Sequence, residues 1–128
     1  MYKKMLFGVV LFGLFSVLFA ACAIVDTSTL NTNLPSVNMG GASFLHTSVT
    51  IKKGDMLNLI DTAPSPHIVT NGSWVGSTQK PAKEAGAPSI NQQYSGNDSA
   101  PVGPFTTAGT FHIYCTIHPG MNLTVIVK

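Results

Sequence analysis

Three side chains that can bind a metal ion stand close together near the C-terminus of this 128-residue chain. Cys115, His118 and Met121 follow one another at intervals of three residues and offer a thiolate, an imidazole and a thioether. They lie between two stretches in which apolar and polar residues alternate, which is the pattern of β-strands. Because a tight loop between two strands can direct all three side chains toward one point, the spacing predicts a loop-borne metal site.

A second imidazole completes a set of ligands that suits copper. The candidate is His67, which opens an apolar stretch 48 positions before Cys115 and follows Pro64 and Pro66, whose rings would stiffen the approach. Sulfur stabilises Cu(I) and imidazole accommodates Cu(II), and a His₂Cys plane with a long axial Met is the arrangement of blue-copper electron-transfer sites. We therefore expect one copper ion to be bound by His67 together with the three residues of the loop.

Other uses of these residues leave part of the set without a role. A Cys–His nucleophile has no use for a neighbouring thioether, and a structural zinc site favours further cysteines or histidines over methionine. A buried inert thiol at Cys115, or a disulfide between Cys115 and Cys22, would leave His118 and Met121 without a purpose. A copper enzyme with a second metal centre would need more than the four histidines of the chain. We expect an electron carrier rather than an enzyme, with copper delivery or storage as the alternative, because the same ligands hold Cu(I) in both cases.

The segments around these residues have the pattern of β-strands. Apolar residues alternate with other residues at 49–51, 57–59, 111–115 and 123–127, and no helical periodicity follows residue 40. The turn residues Lys53, Gly54 and Asp55 predict that the first two stretches form a hairpin. Short strands punctuated by Gly and Pro predict an all-β fold, an antiparallel Greek-key β-sandwich or barrel. Residues 71–100 are expected to form a long loop, with room for a short helix near 81–86.

The first 21 residues have the features of an export signal. Lys3 and Lys4 precede a long apolar run, and small residues follow it directly before Cys22. This arrangement is similar to a bacterial lipoprotein signal, in which Cys22 would become the lipidated first residue of the mature chain. Two alternatives remain: cleavage after Ala23 by an ordinary signal peptidase, and retention of the run as a membrane anchor. Each predicts an exported domain, at the periplasmic or outer cell surface, either held at a membrane or released.

The remaining composition defines the domains and limits the partners. Residues 22–38 are polar and without periodicity, which predicts a flexible tether, and residues 39–128 are expected to form the folded domain. After residue 21, five lysines balance five acidic residues and there is no arginine. Phosphate recognition needs clustered Lys and Arg, so nucleic acid is not an expected partner. A neutral monomer that docks briefly on redox partner proteins is expected instead.

The chain resembles the cupredoxin family, the small blue (type 1) copper proteins of the amicyanin and plastocyanin kind. The resemblance covers residues 38–128 and depends on the Cys-x₂-His-x₂-Met spacing, the preceding Gly-Thr-Phe-His-Ile-Tyr-Cys and the closing Leu-Thr-Val-Ile-Val. It implies that His67, Cys115 and His118 are equatorial ligands and Met121 is the axial ligand of one copper. It also implies that electrons pass at the edge of the His118 ring, with Tyr114 as a second possible exit.

Two positions depart from the pattern of this family. Ile68 stands where family members often carry an Asn that ties the two ligand loops together, so this tie must be absent or made differently. Ile117 stands where a Pro is often found in loops of this spacing. Both departures leave the ligands in place and bear on the rigidity and potential of the site.

Overall fold

A computed structural model describes residues 33–128 of the chain. The expected export signal, Cys22 and the tether up to residue 32 lie outside the described residues. No helix within residues 33–128 is long and apolar enough to cross a membrane. The strands of the described part are β1 (Ser36–Met39), β2 (Ser48–Ile51), β3 (Leu57–Asp61), β4 (His67–Val75), β5 (Thr78–Pro81), β6 (Asn91–Tyr94), β7 (Ser99–Val102), β8 (Gly109–Cys115) and β9 (Asn122–Val127).

The strands form two mixed sheets. The smaller sheet has the order β1-β3-β7, and the larger one has the order β2-β9-β8-β4-β5, with β6 also paired to β4. Most pairs are antiparallel, whereas β1 with β3 and β2 with β9 are parallel. The all-β class is therefore confirmed, and the expected antiparallel arrangement is modified at these two pairs.

Alternation along the strands puts one face of each sheet into a shared core. In β9 the pattern is strict, with Leu123, Val125 and Val127 buried and the residues between them half-exposed. Such a period of two is what a strand with one buried face requires. The core also contains large aromatic side chains, among them Phe105 and Phe111, whose ring centroids lie 6.0 Å apart. The buried face of β8 ends in Cys115, so core packing holds one of the candidate ligands in place.

The predicted hairpin between residues 49–51 and 57–59 is wrong. β2 lies beside β9 in the larger sheet, whereas β3 lies between β1 and β7 in the smaller one. The turn carries the chain from one sheet to the other, and its Gly54 N–H and Asp55 carbonyl are hydrogen-bonded to the backbone of Phe105. Alternation shows which face of a strand is buried, but it does not show which strand is its neighbour.

The predicted loop at residues 71–100 and the predicted end of the tether are also corrected. Residues 71–100 are not a loop, because β4 continues to Val75 and β5, β6 and the start of β7 follow, while residues 81–86 contain no helix. All four residues of β5 are exposed, so no apolar alternation marked this strand. The predicted tether ends too late, since β1 begins at Ser36, pairs with β3 in the smaller sheet and buries Val37 in the core.

Candidate metal centre

A short loop between β8 and β9 carries three of the four predicted ligands. Cys115 ends β8, and the backbone then turns back so that the Cys115 N–H donates to the Met121 carbonyl at 3.0 Å. Within the loop the Met121 N–H donates to the His118 carbonyl at 3.2 Å. Gly120 has a φ of 79°, a left-handed conformation that glycine adopts without the steric cost of a side chain. These features close the loop tightly, as the spacing predicted.

The pairing of β4 with β8 brings His67 to this loop. Val69 in β4 is the register partner of Cys115, and His67 therefore lies just beyond the end of β8. The Thr116 N–H donates to the Ile68 carbonyl at 2.8 Å, so the segments that carry His67 and Cys115 are joined by the backbone. Ile68 therefore contributes to joining the two ligand-bearing segments through its backbone carbonyl.

The donor atoms of His67, Cys115 and His118 form a compact cluster. One ligand atom from each lies within 4.8 Å of the other two, and Cys115 Sγ lies 3.4 Å from His118 Nδ1. The two imidazole rings have centroids 4.8 Å apart and are tilted by 56°. His67 and Cys115 are both completely buried, whereas His118 is half-buried. Two imidazoles and one cysteine sulfur thus converge, with two of the three residues in the core and one near the surface.

The polar atoms of His67 fit a bound metal ion. Neither ring nitrogen has a hydrogen-bond partner within the described part of the chain, although the ring is completely buried. Burial lowers the pKa of His67 below its usual value and outweighs the nearby Asp61 carboxylate, which acts in the opposite direction. The neutral ring that burial favours keeps a lone pair for a metal. A buried imidazole without partners is costly unless something binds it, and a metal would provide that partner.

Met121 is buried on the same loop. Its side chain is 2% exposed, and its backbone bonds to Cys115 and His118 place it directly between the two ligands and β9. Its role as the axial ligand remains a prediction from the donor set and the resemblance. His46 and His112 lie outside the cluster: His46 is exposed, and His112 Nδ1 is 2.6 Å from Glu84 Oε1.

A polar network that sequence reasoning missed holds the end of β8. The Trp74 indole N–H donates to the Cys115 carbonyl at 2.7 Å, and the Trp74 ring meets Tyr114 edge-on at 6.1 Å. Gln79 Nε2 donates to the Thr116 carbonyl at 3.1 Å, and its Oε1 accepts from the Tyr114 hydroxyl. Tyr114, the second predicted electron exit, is only 1% exposed, so its ring is not directly accessible at the surface. The contacts of Gln79 depend on strand β5, which the sequence pattern did not reveal, whereas Trp74 lies in the part of β4 that was predicted to be a loop.

Uncharged residues adjoin the half-buried His118. Ile117 is 45% exposed, and Pro119 beside it is also exposed. Ser65 Oγ lies 3.4 Å from His118 Nε2, so the segment containing Pro64 and Pro66 adjoins the loop. No charged side chain belongs to this set of residues.

Asp61 was also missed, and it lies beside His67. The carboxylate of this residue is buried at the end of β3, with its Oδ1 atom 3.6 Å from His67 Nε2. The signal was present in the sequence, since Leu57, Leu59 and Asp61 alternate on one face and the first two are apolar. Continuation of that alternation predicts a buried Asp61.

The described fold is that of amicyanin, a cupredoxin. Amicyanin from Paracoccus versutus aligns with a TM-score of 0.59 and 24% identity over 76% of this chain and 83% of its own. A reduced Cu(I) form of an amicyanin variant aligns with a TM-score of 0.58 and 22% identity over 75% of this chain and 83% of its own. A further amicyanin variant, described as Cu(I), aligns with a TM-score of 0.56 and 21% identity over 74% and 82%. No family model and no curated protein sequence matches this chain.

Proposed function

We propose that the protein is a one-electron carrier that holds one type 1 copper ion and works outside the cytoplasm. The observation that carries this proposal is the cluster of His67, Cys115 and His118, in which two imidazoles and a thiolate converge with two of the three residues fully buried. The cupredoxin fold supports it, and the amicyanin structures of the same fold include Cu(I) forms. When bound, copper would cycle between Cu(I) and Cu(II) and so accept and release one electron.

The protein's part in this function is to hold the ligands still. Cys115 ends β8, and its carbonyl accepts a hydrogen bond from the Trp74 indole. His67 begins β4, which is paired with β8. Ligands placed on paired strands move little when the charge of the site changes, which keeps the reorganisation small. The apolar core beneath the site excludes water and competing ligands.

Electrons would pass at the half-buried edge of His118. This ligand reaches the surface, whereas His67 and Cys115 do not. Electron transfer falls steeply with distance, so a partner should dock where a ligand edge is accessible. The uncharged surface of Ile117, Pro119 and Pro64 favours brief apolar docking, because no charge has to be desolvated there. Redox partner proteins are thus expected to meet this surface.

Retention of the metal distinguishes this function from copper delivery or storage. Two of the clustered ligands are completely buried and their backbones belong to paired strands, which opposes ligand exchange. A delivery protein needs an accessible path by which an acceptor can displace ligands, and here only the His118 side is open. Fast electron self-exchange together with slow copper release is therefore the expected behaviour.

A copper titration tests the proposal. Cu(II) added to the purified protein should produce an intense visible thiolate-to-copper band that a reductant bleaches reversibly, because Cys115 binds as the thiolate. Cys115→Ser should abolish the band, while Cys22→Ala, which removes the other cysteine, should keep it. A coloured Cys115→Ser protein would refute the assignment, and rapid loss of copper to a chelator would favour delivery.

Membrane attachment through a lipid on Cys22 is the second part of the proposal. It is supported by the small residues before Cys22 and the apolar run that precedes them. Labelled fatty acid should enter the wild type and Cys115→Ser when they are produced in a bacterium, but not Cys22→Ala. Label that persists in Cys22→Ala would show that Cys22 is not the lipidated residue. A wild type that takes up no label would leave a cleaved signal or a retained anchor.

A further inference from the structure

The pair formed by Asp61 and His67 stands apart from every other polar contact in the described core. These two residues are its buried polar or charged side chains, at 2% and 0% exposure, and they are neighbours. Burying a carboxylate costs free energy unless it is hydrogen-bonded or paired with positive charge. The position of Asp61 therefore calls for a partner that compensates its charge.

Asp61 has too few protein partners to meet that need. Its Oδ1 accepts the Ala63 N–H at 3.1 Å, an Asx turn that shapes the start of the segment leading to His67. Its Oδ2 is buried and has no hydrogen-bond partner among the described residues. No lysine lies within ion-pair distance of it in that part of the chain. The Asx turn satisfies one carboxylate oxygen of Asp61, but it provides no positive charge to compensate the carboxylate.

The geometry points to His67 and the metal as the missing partners. His67 Nε2 faces Asp61 Oδ1 at 3.6 Å, slightly beyond hydrogen-bond distance, so a small rotation of the ring would make the bond. A proton on Nε2 leaves the lone pair on Nδ1, the other nitrogen, which also lacks a partner. A carboxylate that accepts from a metal-bound histidine fixes the tautomer and orientation of the ring.

We propose that Asp61 is a positioning residue of the metal centre, which holds His67 with Nδ1 toward the metal and lowers the reduction potential by its buried charge. This inference deepens the proposed function and rests on it. The oxidised site carries one positive charge more than the reduced site, so a buried carboxylate nearby stabilises the oxidised site more. Removing the charge should therefore raise the potential.

The backbone of Gly40 is the rival that the test must exclude. It acts to raise the pKa of the His67 ring and so to favour a proton on it, although neither ring nitrogen meets the geometry of a hydrogen bond. If Gly40 alone holds the ring, Asp61 shapes only the turn at Ala63. The two cases differ in the response of the His67 tautomer and of the potential to changes at Asp61.

The test compares two variants of Asp61 with a matched control at the other end of β3. Asp61→Asn keeps an oxygen for the Ala63 N–H and for His67 but loses the charge, whereas Asp61→Ala loses both. Asp55→Asn is the control, because Asp55 also accepts a backbone N–H in a tight turn, from Lys52 at 3.0 Å, and lies before the opposite end of β3. Thermal unfolding establishes that each variant folds. If Asp61→Ala does not fold, Asp61→Asn still decides the effect of the charge, and a wild-type ring without a proton on Nε2 would still overturn the positioning role.

Two measurements decide the outcome. In metal-free protein, ¹⁵N NMR of the His67 ring should show the Nε2–H tautomer in the wild type and Asp61→Asn, and its loss in Asp61→Ala. In copper-loaded protein, Asp61→Asn should weaken Cu(II) relative to Cu(I) binding by about tenfold or more, which for one electron is a rise of about 59 mV. Asp55→Asn should leave the His67 tautomer and the reduction potential unchanged.

Each contrary result has a distinct meaning. An unchanged tautomer in Asp61→Ala would overturn the positioning role in favour of Gly40. A potential of Asp61→Asn equal to that of Asp55→Asn would overturn the effect of the charge. A wild type that binds no copper would refute the proposed function and the charge effect with it, while the tautomer, measured without metal, would still decide whether Asp61 positions His67.

Discussion

The two halves of the candidate metal centre are built in different ways. Cys115, His118 and Met121 come from one short loop, and the backbone bonds that close this loop lie within it. His67 comes from the start of β4, is completely buried, and reaches the loop only through the pairing of β4 with β8. The loop half also reaches the surface, at the half-buried ring of His118, whereas the strand half does not. The difference suggests that the strand half confers rigidity and the loop half confers access.

The largest expected contrast comes from removing each histidine in turn. His67→Gly and His118→Gly should both lose the blue colour, because each lacks one imidazole of the cluster. Added free imidazole should restore the colour in His118→Gly, whose gap opens to solvent, and not in His67→Gly, whose gap is enclosed by the core. The measurement is the visible spectrum of each copper-loaded variant during an imidazole titration. Equal rescue of both would contradict the division into an accessible and an enclosed half.

A smaller effect is expected at the axial position of the loop. Met121→Leu conserves volume and should cost less than about 1.5 kcal/mol in unfolding free energy. Copper should remain bound, and the potential should rise because a weak thioether interaction is replaced by an apolar side chain. Cyclic voltammetry of the variant gives the shift.

A core methionine provides the control for that experiment. Met39 is completely buried in β1 at the register position of Asp61, so Met39→Leu makes the same side-chain change near the centre without removing a predicted ligand, and it should shift the potential less than Met121→Leu does. Loss of copper from Met121→Leu, with Met39→Leu intact, would show that Met121 is more than a weak axial ligand.

The accessible half can be tested at Ile117 by electron self-exchange, which needs no knowledge of the natural partner. Ile117→Lys should leave the colour intact and slow self-exchange by about tenfold or more, since two copies that meet at this surface would bring like charges together. Added salt should recover part of the rate. NMR line broadening in mixtures of oxidised and reduced protein measures the self-exchange rate.

The matched control for Ile117 is another exposed apolar residue. Val75 is 61% exposed at the end of β4, so Val75→Lys adds the same charge at a different place. It should leave the self-exchange rate unchanged. A rate lowered equally by both substitutions would mean that net charge, and not docking at His118, controls the reaction.

The smallest effect concerns the support of the strand half. Tyr94 is the register partner of His67, is completely buried, and donates its hydroxyl to the Ala100 carbonyl at 3.1 Å. Burial raises the pKa of Tyr94 well above its usual value, with the carboxylates of Asp98 and Asp61 adding to the effect. The neutral phenol therefore contributes stability that is fully present below the unfolded pKa, about 10, and is lost as the pH rises above it.

Tyr94→Phe isolates this contribution. The variant should lose about 1 kcal/mol of unfolding free energy at neutral pH, because the Ala100 carbonyl loses its donor. Above about pH 10 its stability should fall less steeply than that of the wild type. Urea unfolding of the metal-free proteins across this pH range measures the difference, and parallel curves would contradict the assignment.

Sequence reasoning succeeded where the relevant contacts are local and failed where they depend on strand pairing. The alternation in 111–115 and 123–127 predicted β8 and β9, whose faces the core confirms. The hairpin expected around Gly54 was wrong because both of its arms have apolar alternation, and alternation carries no information about the neighbour. β5 was missed because it is exposed on both faces and lacks any pattern, and the anchor Gln79 was missed with it. The anchor Trp74 was missed because the end of β4 was predicted to be a loop.

The donor set of the loop was determined by the sequence alone, because the spacing of Cys115, His118 and Met121 within one short turn leaves the backbone few ways to separate them. The place of His67 beside them was decided only by the tertiary structure, which spans 48 positions through the register of β4 on β8. The same holds for Asp61. Its burial follows from the alternation in β3, but its contact with His67 exists only because the two sheets pack face to face. Side-chain chemistry is a local property of the chain, whereas the convergence of distant residues depends on how strands pair and how sheets pack.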